Sequence, residues 1–204
     1  VKSNRGAAGV DKVSVEMFEA NLSPNLDALM RDLKGGTFQT KPLRRVNIPK
    51  PGSTKTRPLG IPIVRDRVAQ EVLRRLLEPI FEPLFHDASH GFRKGRGCHS
   101  AIERILELHK QGYRHVLDAD IKGFFDNLPH NVIMAAVCQR VADGNVLGIV
   151  EKFLKAGVME DGVFKPTTIG TPQGGVISPL LANVVLDYMD WALAEAGYLH
   201  VRYA

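Results

Sequence analysis

The sequence has too few cysteines for a disulfide-rich fold and no apolar run long enough for a membrane span. Only Cys98 and Cys138 occur in its 204 residues, so we expect a reducing, cytoplasmic environment. No stretch of basic and then apolar residues at the start resembles a signal peptide. Hydrophobic residues make up 44% and charged residues 24%, as in ordinary folded domains. These features exclude a small secreted protein, a membrane protein and a disordered tail.

Positive charge is concentrated in the first half of the chain. Residues 1–102 contain 18 basic and 10 acidic residues, net +8, whereas residues 103–204 contain 9 and 12, net −3. Between Lys41 and Arg75 there are ten basic residues and only two acidic ones. This asymmetry predicts a polyanionic partner, although a solvated basic surface would have the same composition.

The spacing of apolar residues predicts a mixed α+β fold. Ser-Pro pairs at 23–24 and 178–179 are typical of helix starts, and an apolar face typical of a helix covers residues 66–85. Further helices are expected after Ser100, after Pro129 and around Ile149. The predicted strands cover 43–48, 57–63, 113–121, a hairpin over 158–164, and 199–203. Prolines 58 and 62 restrict the second strand to an edge or to irregular pairing.

An acidic segment, Asp118-Ala-Asp120-Ile-Lys-Gly-Phe-Phe125-Asp126, follows a predicted buried strand. Side chains two residues apart share a strand face, so Asp118 and Asp120 would point the same way. A carboxylate at the end of a buried strand is costly unless it is paired or holds a cation. The segment is therefore a candidate site for a hard cation, although Asp118 and Asp126 would serve equally as caps or ion-pair partners.

Three further segments carry candidate binding residues. The loop Gly170-Thr-Pro-Gln-Gly174-Gly leads into a predicted helix and would allow close approach of a ligand, or would simply be a tight turn. The segment from Ile48 to Pro62 is stiffened by prolines and projects cations suited to phosphate. The loop from Ser89 to His99 combines basic residues with Phe92, a pattern for stacking and phosphate contacts, or for a solvated loop.

Taken in order, these segments resemble those of reverse transcriptases encoded by group II introns (maturases). The matching blocks are IPKPG with RPLGIP, SHGFRKGRGCHSAI, DADIKGFFDNLPH and GTPQGGVISPLLANVVLDYMD. The resemblance covers nearly the whole chain and implies the fingers and palm of a right-hand polymerase. It places the fingers in residues 1–112 and the palm, an antiparallel sheet backed by helices, in residues 113–204.

The resemblance also implies roles for individual residues. Asp120 would be the catalytic carboxylate, and it would bind Mg²⁺ together with the Ile121 carbonyl, within a site for two ions. Phe125 would reject the ribose 2′-hydroxyl. Other residues implied to bind the incoming nucleotide are Lys50, Arg57, Pro172, Gln173 and Gly174. Those implied to follow the template RNA are Arg44, Arg45, Arg93, Lys94 and Arg96.

The last residues, Val201-Arg-Tyr-Ala204, resemble the start of the Tyr-Ala-Asp-Asp block of the family. One carboxylate cannot hold two Mg²⁺ ions in octahedral geometry. We therefore expect an inactive fingers-palm fragment of an active parent enzyme.

The expected activity of the parent is RNA-directed DNA synthesis in intron mobility. The expected partners are template and intron RNA, a DNA primer and dNTPs. A homodimer is also compatible with the sequence. The alternatives are a non-enzymatic RNA-binding module that aids splicing, and a reverse transcriptase of the retron or CRISPR-associated kind.

Overall fold

The computed structural model describes residues 1–4, 6–49, 52, 54, 56–171 and 174–203. Helix is the commonest secondary structure in this part of the chain. They are α1 (Val15–Ala20), α2 (Leu22–Lys34), α3 (Val64–Phe81), α4 (Cys98–Lys110), α5 (Phe124–Asn127), α6 (His130–Cys138), α7 (Gly144–Leu154) and α8 (Ser178–Glu195). The strands are β1 (Leu43–Pro49), β2 (Thr56–Ile61), β3 (Val158–Glu160) and β4 (Val163–Lys165).

The four strands form one mixed sheet in the order β2-β1-β3-β4. Strand β1 pairs antiparallel with β2, where Arg44 lies opposite Ile61, and parallel with β3, where Leu43 lies opposite Val158. Pro58 of β2 is accommodated because this strand lies at the sheet edge, as predicted. Strands β1 and β2 come from the expected fingers (residues 1–112), and β3 and β4 come from the expected palm (residues 113–204). The division into these two parts stays a prediction.

One hydrophobic core lies among helices α2, α3, α6, α7 and α8. It forms because each of these helices carries apolar residues at three- and four-residue spacing, which places them on one face. The most deeply buried core side chains are Leu29, Phe38, Leu77, Ile133, Val137, Val150, Leu154 and Leu181. The α+β class and most of the helices are therefore confirmed.

Two predicted strands are not formed. Residues 113–121 have no regular secondary structure and pair with no strand among the described residues, and Val116 and Leu117 are 82% and 92% exposed. Residues 199–203 contribute only an isolated parallel bridge between Arg202 and Ser89. The expected antiparallel palm sheet is thus absent from the described part of the chain. The physical reason is that a strand needs a hydrogen-bonding neighbour, and alternation alone does not provide one.

Within the described residues, no helix is both long and apolar enough to cross a membrane.

Candidate functional site

The acidic segment lies on the surface. Asp118 and Asp120 are both exposed, and so is Ile121. Among the residues that the structure describes, no three His, Cys, Asp or Glu side chains come together as a metal site. Asp120 and the Ile121 carbonyl cannot by themselves supply the six oxygens that Mg²⁺ requires. The described residues therefore do not form a complete site for the expected ions.

A tight turn follows this segment and presents Phe125. Gly123 has φ +62°, a left-handed conformation that glycine adopts readily, and its carbonyl accepts hydrogen bonds from the backbone N–H groups of Asp126 and Asn127, each at 3.0 Å. The short helix α5 begins at the next residue. The Phe125 side chain is half-buried, so one side of the ring remains accessible.

Two other aromatic rings hold Phe125. Phe124 and Phe92 both meet its ring edge-on, with centroid distances of 5.9 and 6.3 Å. Phe92 comes from the basic loop and has φ +56°, an unusual conformation for an aromatic residue. The structure thus brings the predicted sugar-selecting residue together with the aromatic residue of the predicted stacking loop.

The glycine-rich loop packs directly against Phe125. The Thr171 N–H donates to the Phe125 carbonyl at 2.7 Å, and the Gly170 N–H donates to the Leu128 carbonyl at 2.8 Å. A Cβ on Gly170 would lie 2.7 Å from the Asp126 carbonyl oxygen, so only glycine fits there. Two of the predicted nucleotide-binding residues, Pro172 and Gln173, lie outside the described residues.

The same loop then reaches the edge strand β2. A Cβ on Gly174 would lie 2.7 Å from the Gly60 carbonyl oxygen and 2.9 Å from the Leu59 side chain. Arg57, the predicted triphosphate-binding cation, is exposed at the start of the same strand. Thr171 therefore lies against Phe125 of α5, and Gly174 lies against β2, the strand on which Arg57 is exposed.

The other predicted cations differ in exposure. Lys50 lies outside the described residues. Arg44 and Arg45 are half-buried on β1, and the Arg44 Nε donates to the Ala8 carbonyl at 2.9 Å. Arg44 therefore holds the N-terminal segment against the sheet.

Arg93, predicted to lie along the template path, is buried. Its Nε donates to Glu82 Oε1 at 2.8 Å, and its Nη1 donates to the carbonyls of His86 and Ser89 at 2.9 and 3.0 Å. Its guanidinium also lies 5.4 Å from the centroid of the Phe85 ring. These internal partners occupy donors of Arg93 and fix the shape of the loop, and its contact with RNA stays a prediction.

The neighbouring cations remain candidates for RNA contacts. Lys94 is exposed, and Arg96 forms an ion pair at 2.7 Å with Asp87, whose side chain is 93% exposed. Hydrogen bonding to Arg96 lowers the pKa of the Asp87 carboxyl. A pair this exposed contributes little to stability, so phosphate can compete with Asp87 for Arg96.

A groove of about 580 Å³ lies beside this loop. We call it the Phe92 groove; its lining residues are Arg74, Arg75, Glu78, Phe92, Arg93 and Lys94. Arg75, Phe92 and Lys94 are exposed there, which places two cations beside an aromatic ring. This combination suits a single-stranded nucleic acid, because the bases stack and the phosphates pair with cations.

A buried polar cluster, not predicted from the sequence, lies behind the basic loop. Asn183, Asp190 and Arg202 are each less than 9% exposed. Arg202 Nη1 donates to Asn183 Oδ1 at 2.8 Å, and Nη2 donates to Asp190 Oδ2 at 2.7 Å. The available signal was the seven-residue spacing of Asn183 and Asp190, which puts two polar side chains on one face of an otherwise apolar helix.

Comparison with known proteins places the chain in a family. Residues 48–204 match the family described as reverse transcriptase (RNA-dependent DNA polymerase). This match covers more than half of the sequence, and the chain belongs to that family. Its α+β architecture is that of reverse transcriptase fingers and palm. The family uses divalent metal ions and acts on a nucleic acid template and primer.

Two relatives illustrate the similarity. The chain is 42% identical to Protein YkfC of Escherichia coli K12, over 98% of this chain and 52% of that protein. It is 40% identical to the group II intron-encoded protein LtrA of Lactococcus lactis subsp. cremoris, over 92% of this chain and 31% of that protein. The chain thus spans about a third to a half of the length of these relatives.

A solved structure is similar in fold as well as sequence. It is the partial Cas6-RT-Cas1–Cas2 complex, with a TM-score of 0.58 and 26% identity. The match covers 92% of this chain and 32% of that chain.

Proposed function

We propose that the protein containing this chain is an RNA-directed DNA polymerase of the group II intron type, which extends a primer on an RNA template and serves intron mobility. The observation that carries the proposal is the packing of Phe125 against the Gly170–Val176 loop, which itself contacts β2. The family match and the 40% identity to an intron-encoded relative support it.

In the proposed reaction, residues of α5, β2 and the glycine-rich loop select and orient the incoming dNTP. The Phe125 ring would lie under the sugar and exclude a 2′-hydroxyl by its size, since the rings of Phe92 and Phe124 restrict its movement. Arg57, together with Lys50, would pair with the triphosphate. Gln173 and Pro172 would complete the nucleotide site beside Gly174.

The metal site is proposed at Asp120 and the Ile121 carbonyl, with two Mg²⁺ ions in the complete enzyme. Oxygen ligands of this kind suit a hard cation, although the described residues supply only part of the required set. The ion site of the complete enzyme therefore stays a proposal, and the inactivity of the isolated chain stays a prediction.

The Phe92 groove is the proposed path of the RNA template. Lys94 and Arg96 would contact phosphates, and Phe92 would stack on a base. Arg45, half-buried on β1, stays a predicted RNA contact, as does Arg44. A cytoplasmic location and a homodimer also stay predictions.

A second candidate function is splicing assistance by RNA binding without polymerisation. The exposed cations and aromatic ring of the Phe92 groove favour it, because they bind RNA without any metal. A CRISPR-associated role is a third candidate, supported by the structural likeness to the RT-containing complex.

The test uses the full-length protein and its variant Asp120→Ala. We expect the variant to lose complementary DNA synthesis and to retain RNA binding, because Asp120 is proposed as a metal ligand, whereas RNA binding is assigned to the cations and the aromatic ring of the Phe92 groove. Retained DNA synthesis would overturn the polymerase assignment of Asp120. A wild-type protein that assists splicing but makes no DNA would support the second function.

The sugar-selecting role of Phe125 has its own test. Replacement of Phe125 by Ala in the full-length enzyme should increase ribonucleotide incorporation, because the smaller side chain leaves room for the 2′-hydroxyl. Unchanged discrimination between dTTP and UTP would refute this role.

A further inference from the structure

The Gly170–Val176 loop is anchored at one end by a buried glutamine on α3. Gln70 is 3% exposed, and its Oε1 accepts a hydrogen bond from the Val176 N–H at 2.6 Å. This bond joins positions 106 residues apart in the sequence. Gln70 lies on the buried face of α3 between the core residues Ala69 and Leu73, so its side chain has little freedom to move.

The other end of the loop is anchored by a histidine at the start of α6. His130 is 9% exposed, and its Nε2 lies 2.8 Å from the Gly170 carbonyl oxygen. A carbonyl can only accept, so the imidazole Nε2–H is the donor. Isolated pairing between Pro129 and Ile169 holds the adjacent backbone.

Between these anchors, the loop contacts both parts of the proposed nucleotide site. Thr171 donates to the Phe125 carbonyl, and Gly174 lies against the Gly60 carbonyl of β2. Within the described part of the chain, neither Gln70 nor His130 forms a hydrogen bond with Phe125 or Gly60. Their influence on the site therefore passes through the loop backbone.

We propose that Gln70 and His130 are positioning residues for nucleotide selection. His130 holds Gly170 and Thr171 at the distance from Phe125, and Gln70 holds Val176 and Gly174 at the distance from β2, that a dNTP requires. This inference rests on the proposed polymerase function. When either side chain is removed, the buried Gly170 carbonyl or the half-buried Val176 N–H loses its partner, and that residue can recover the hydrogen bond only by moving toward water. Such movement would separate Gly174 from Gly60 and weaken nucleotide binding.

The experiment measures single-nucleotide extension of an oligo(dT) primer on poly(rA) by the full-length protein. In Gln70→Met the shape is kept and the acceptor is lost, and in His130→Phe the ring is kept and the donor is lost. Each variant should raise the KM for dTTP about fivefold, the loss of about one net hydrogen bond, with kcat within about twofold. The preference for dTTP over UTP should fall in the same variants.

Two further variants separate positioning from general stability. His130→Gln retains an N–H donor near the Nε2 position and should restore the KM to within about twofold of wild type. Asn145→Ala removes a 2.8 Å bond from Nδ2 to the Leu33 carbonyl, which joins α7 to α2 and not to the loop. This control should lower stability and leave the KM and the dTTP preference unchanged.

The outcomes distinguish the inference from the function on which it rests. If the wild-type protein extends the primer and neither loop-anchor variant changes the KM, the inference is wrong. It is also wrong if Asn145→Ala produces the same change. If the wild-type protein extends no primer, the proposed function fails. If Gln70→Met does not fold, Gln70→Asn is used in its place. The shorter side chain of asparagine cannot reach Val176, so the same increase in the KM is expected.

Discussion

Arg202 and Asp190 form a buried ion pair with two parallel contacts. Arg202 Nε lies 2.9 and 3.0 Å from the two carboxylate oxygens of Asp190, and Nη2 lies 2.7 Å from Oδ2. The Asp190 side chain is fully buried and that of Arg202 is 8% exposed. The Arg202 backbone also bonds to Ala88 and His90, each at 2.8 Å. The pair therefore holds the end of the described chain against both α8 and the basic loop.

Removal of one partner of this pair should destabilise the protein strongly. Arg202→Met leaves the Asp190 carboxylate buried without its cation, which costs about 3–5 kcal/mol in comparable cases. Urea unfolding of the purified chain, followed by circular dichroism, measures this loss. The control is Glu151→Gln, which breaks an exposed pair with Lys155 and should cost less than about 0.5 kcal/mol. Equal losses in the two variants would contradict the prediction.

Glu71 should make stability depend on pH in the acid range. Hydrogen bonds from Arg74 and then Arg75 lower the pKa of the Glu71 carboxyl from 4.5 to about 2. Because the folded pKa is below the unfolded one, the stabilisation is complete above pH 4.5 and is lost as the pH falls toward 2. The difference in unfolding free energy between wild type and Glu71→Gln should therefore shrink as the pH falls through this range.

The two arginine partners of Glu71 provide a comparison. Arg74 makes two bonds to Glu71, at 2.8 and 2.9 Å, and Arg75 makes one at 2.7 Å. Arg74→Gln should therefore reduce the pH-dependent difference more than Arg75→Gln. A difference between wild type and Glu71→Gln that is the same at pH 3 and pH 6 would show that the ion pairs contribute nothing.

Gly174→Ala should destabilise the protein by more than the left-handed backbone conformation of Gly174 alone would cause. Gly174 has φ +105°, and an added Cβ would meet the Gly60 carbonyl oxygen at 2.7 Å. Gly162→Ala is the matched control, since Gly162 has φ +80° in the β3–β4 turn with no neighbour within 4 Å. Gly174→Ala should cost about 1–3 kcal/mol more than the control in urea unfolding, the usual cost of overpacking. Equal losses of unfolding free energy in the two variants would show that the loop can move away from β2 without destabilising the protein.

RNA affinity should depend on salt through the exposed cations. Arg57→Ala and Lys94→Ala should each reduce the slope of log affinity against log salt by about 0.7, as expected for loss of one phosphate contact with a single strand. Filter binding of a single-stranded RNA at several salt concentrations measures the slope. Lys155→Ala, which changes an exposed lysine directly after α7, should leave the slope unchanged. Unchanged slopes in all three variants would exclude Arg57 and Lys94 from the RNA-binding surface.

Local sequence signals were sufficient for most elements. Helix α3 and strands β1 and β2 were predicted within a few residues, because apolar periodicity and proline act over short distances. The β3–β4 hairpin was predicted from the turn Glu160-Asp161-Gly162, in which Asp161 and Gly162 have φ +50° and +80°. Helix α2 begins at Leu22, one residue before the predicted start at Ser23-Pro24, and Asn21 is its N-cap residue.

The candidate site was predictable only in part. The motifs identified Phe125, Gly174 and Arg57, and the structure connects them through the loop. The same motifs assigned Arg93 to the RNA, although Glu82 and two carbonyls occupy its donors. An arginine in a basic loop has the same sequence signal whether it faces solvent or the interior. Only the structure shows that Arg93 is buried.

The amino-acid sequence by itself determined the α+β class, the family and the order of the binding segments, because these depend on neighbouring residues. Tertiary structure decided which partners distant residues find. It joined Gln70 to Val176 and Arg202 to Asp190, and it left residues 113–121 without a neighbouring strand among those described. The physical reason is that hydrogen bonds and ion pairs between distant segments depend on how the core brings those segments together, which local periodicity does not specify.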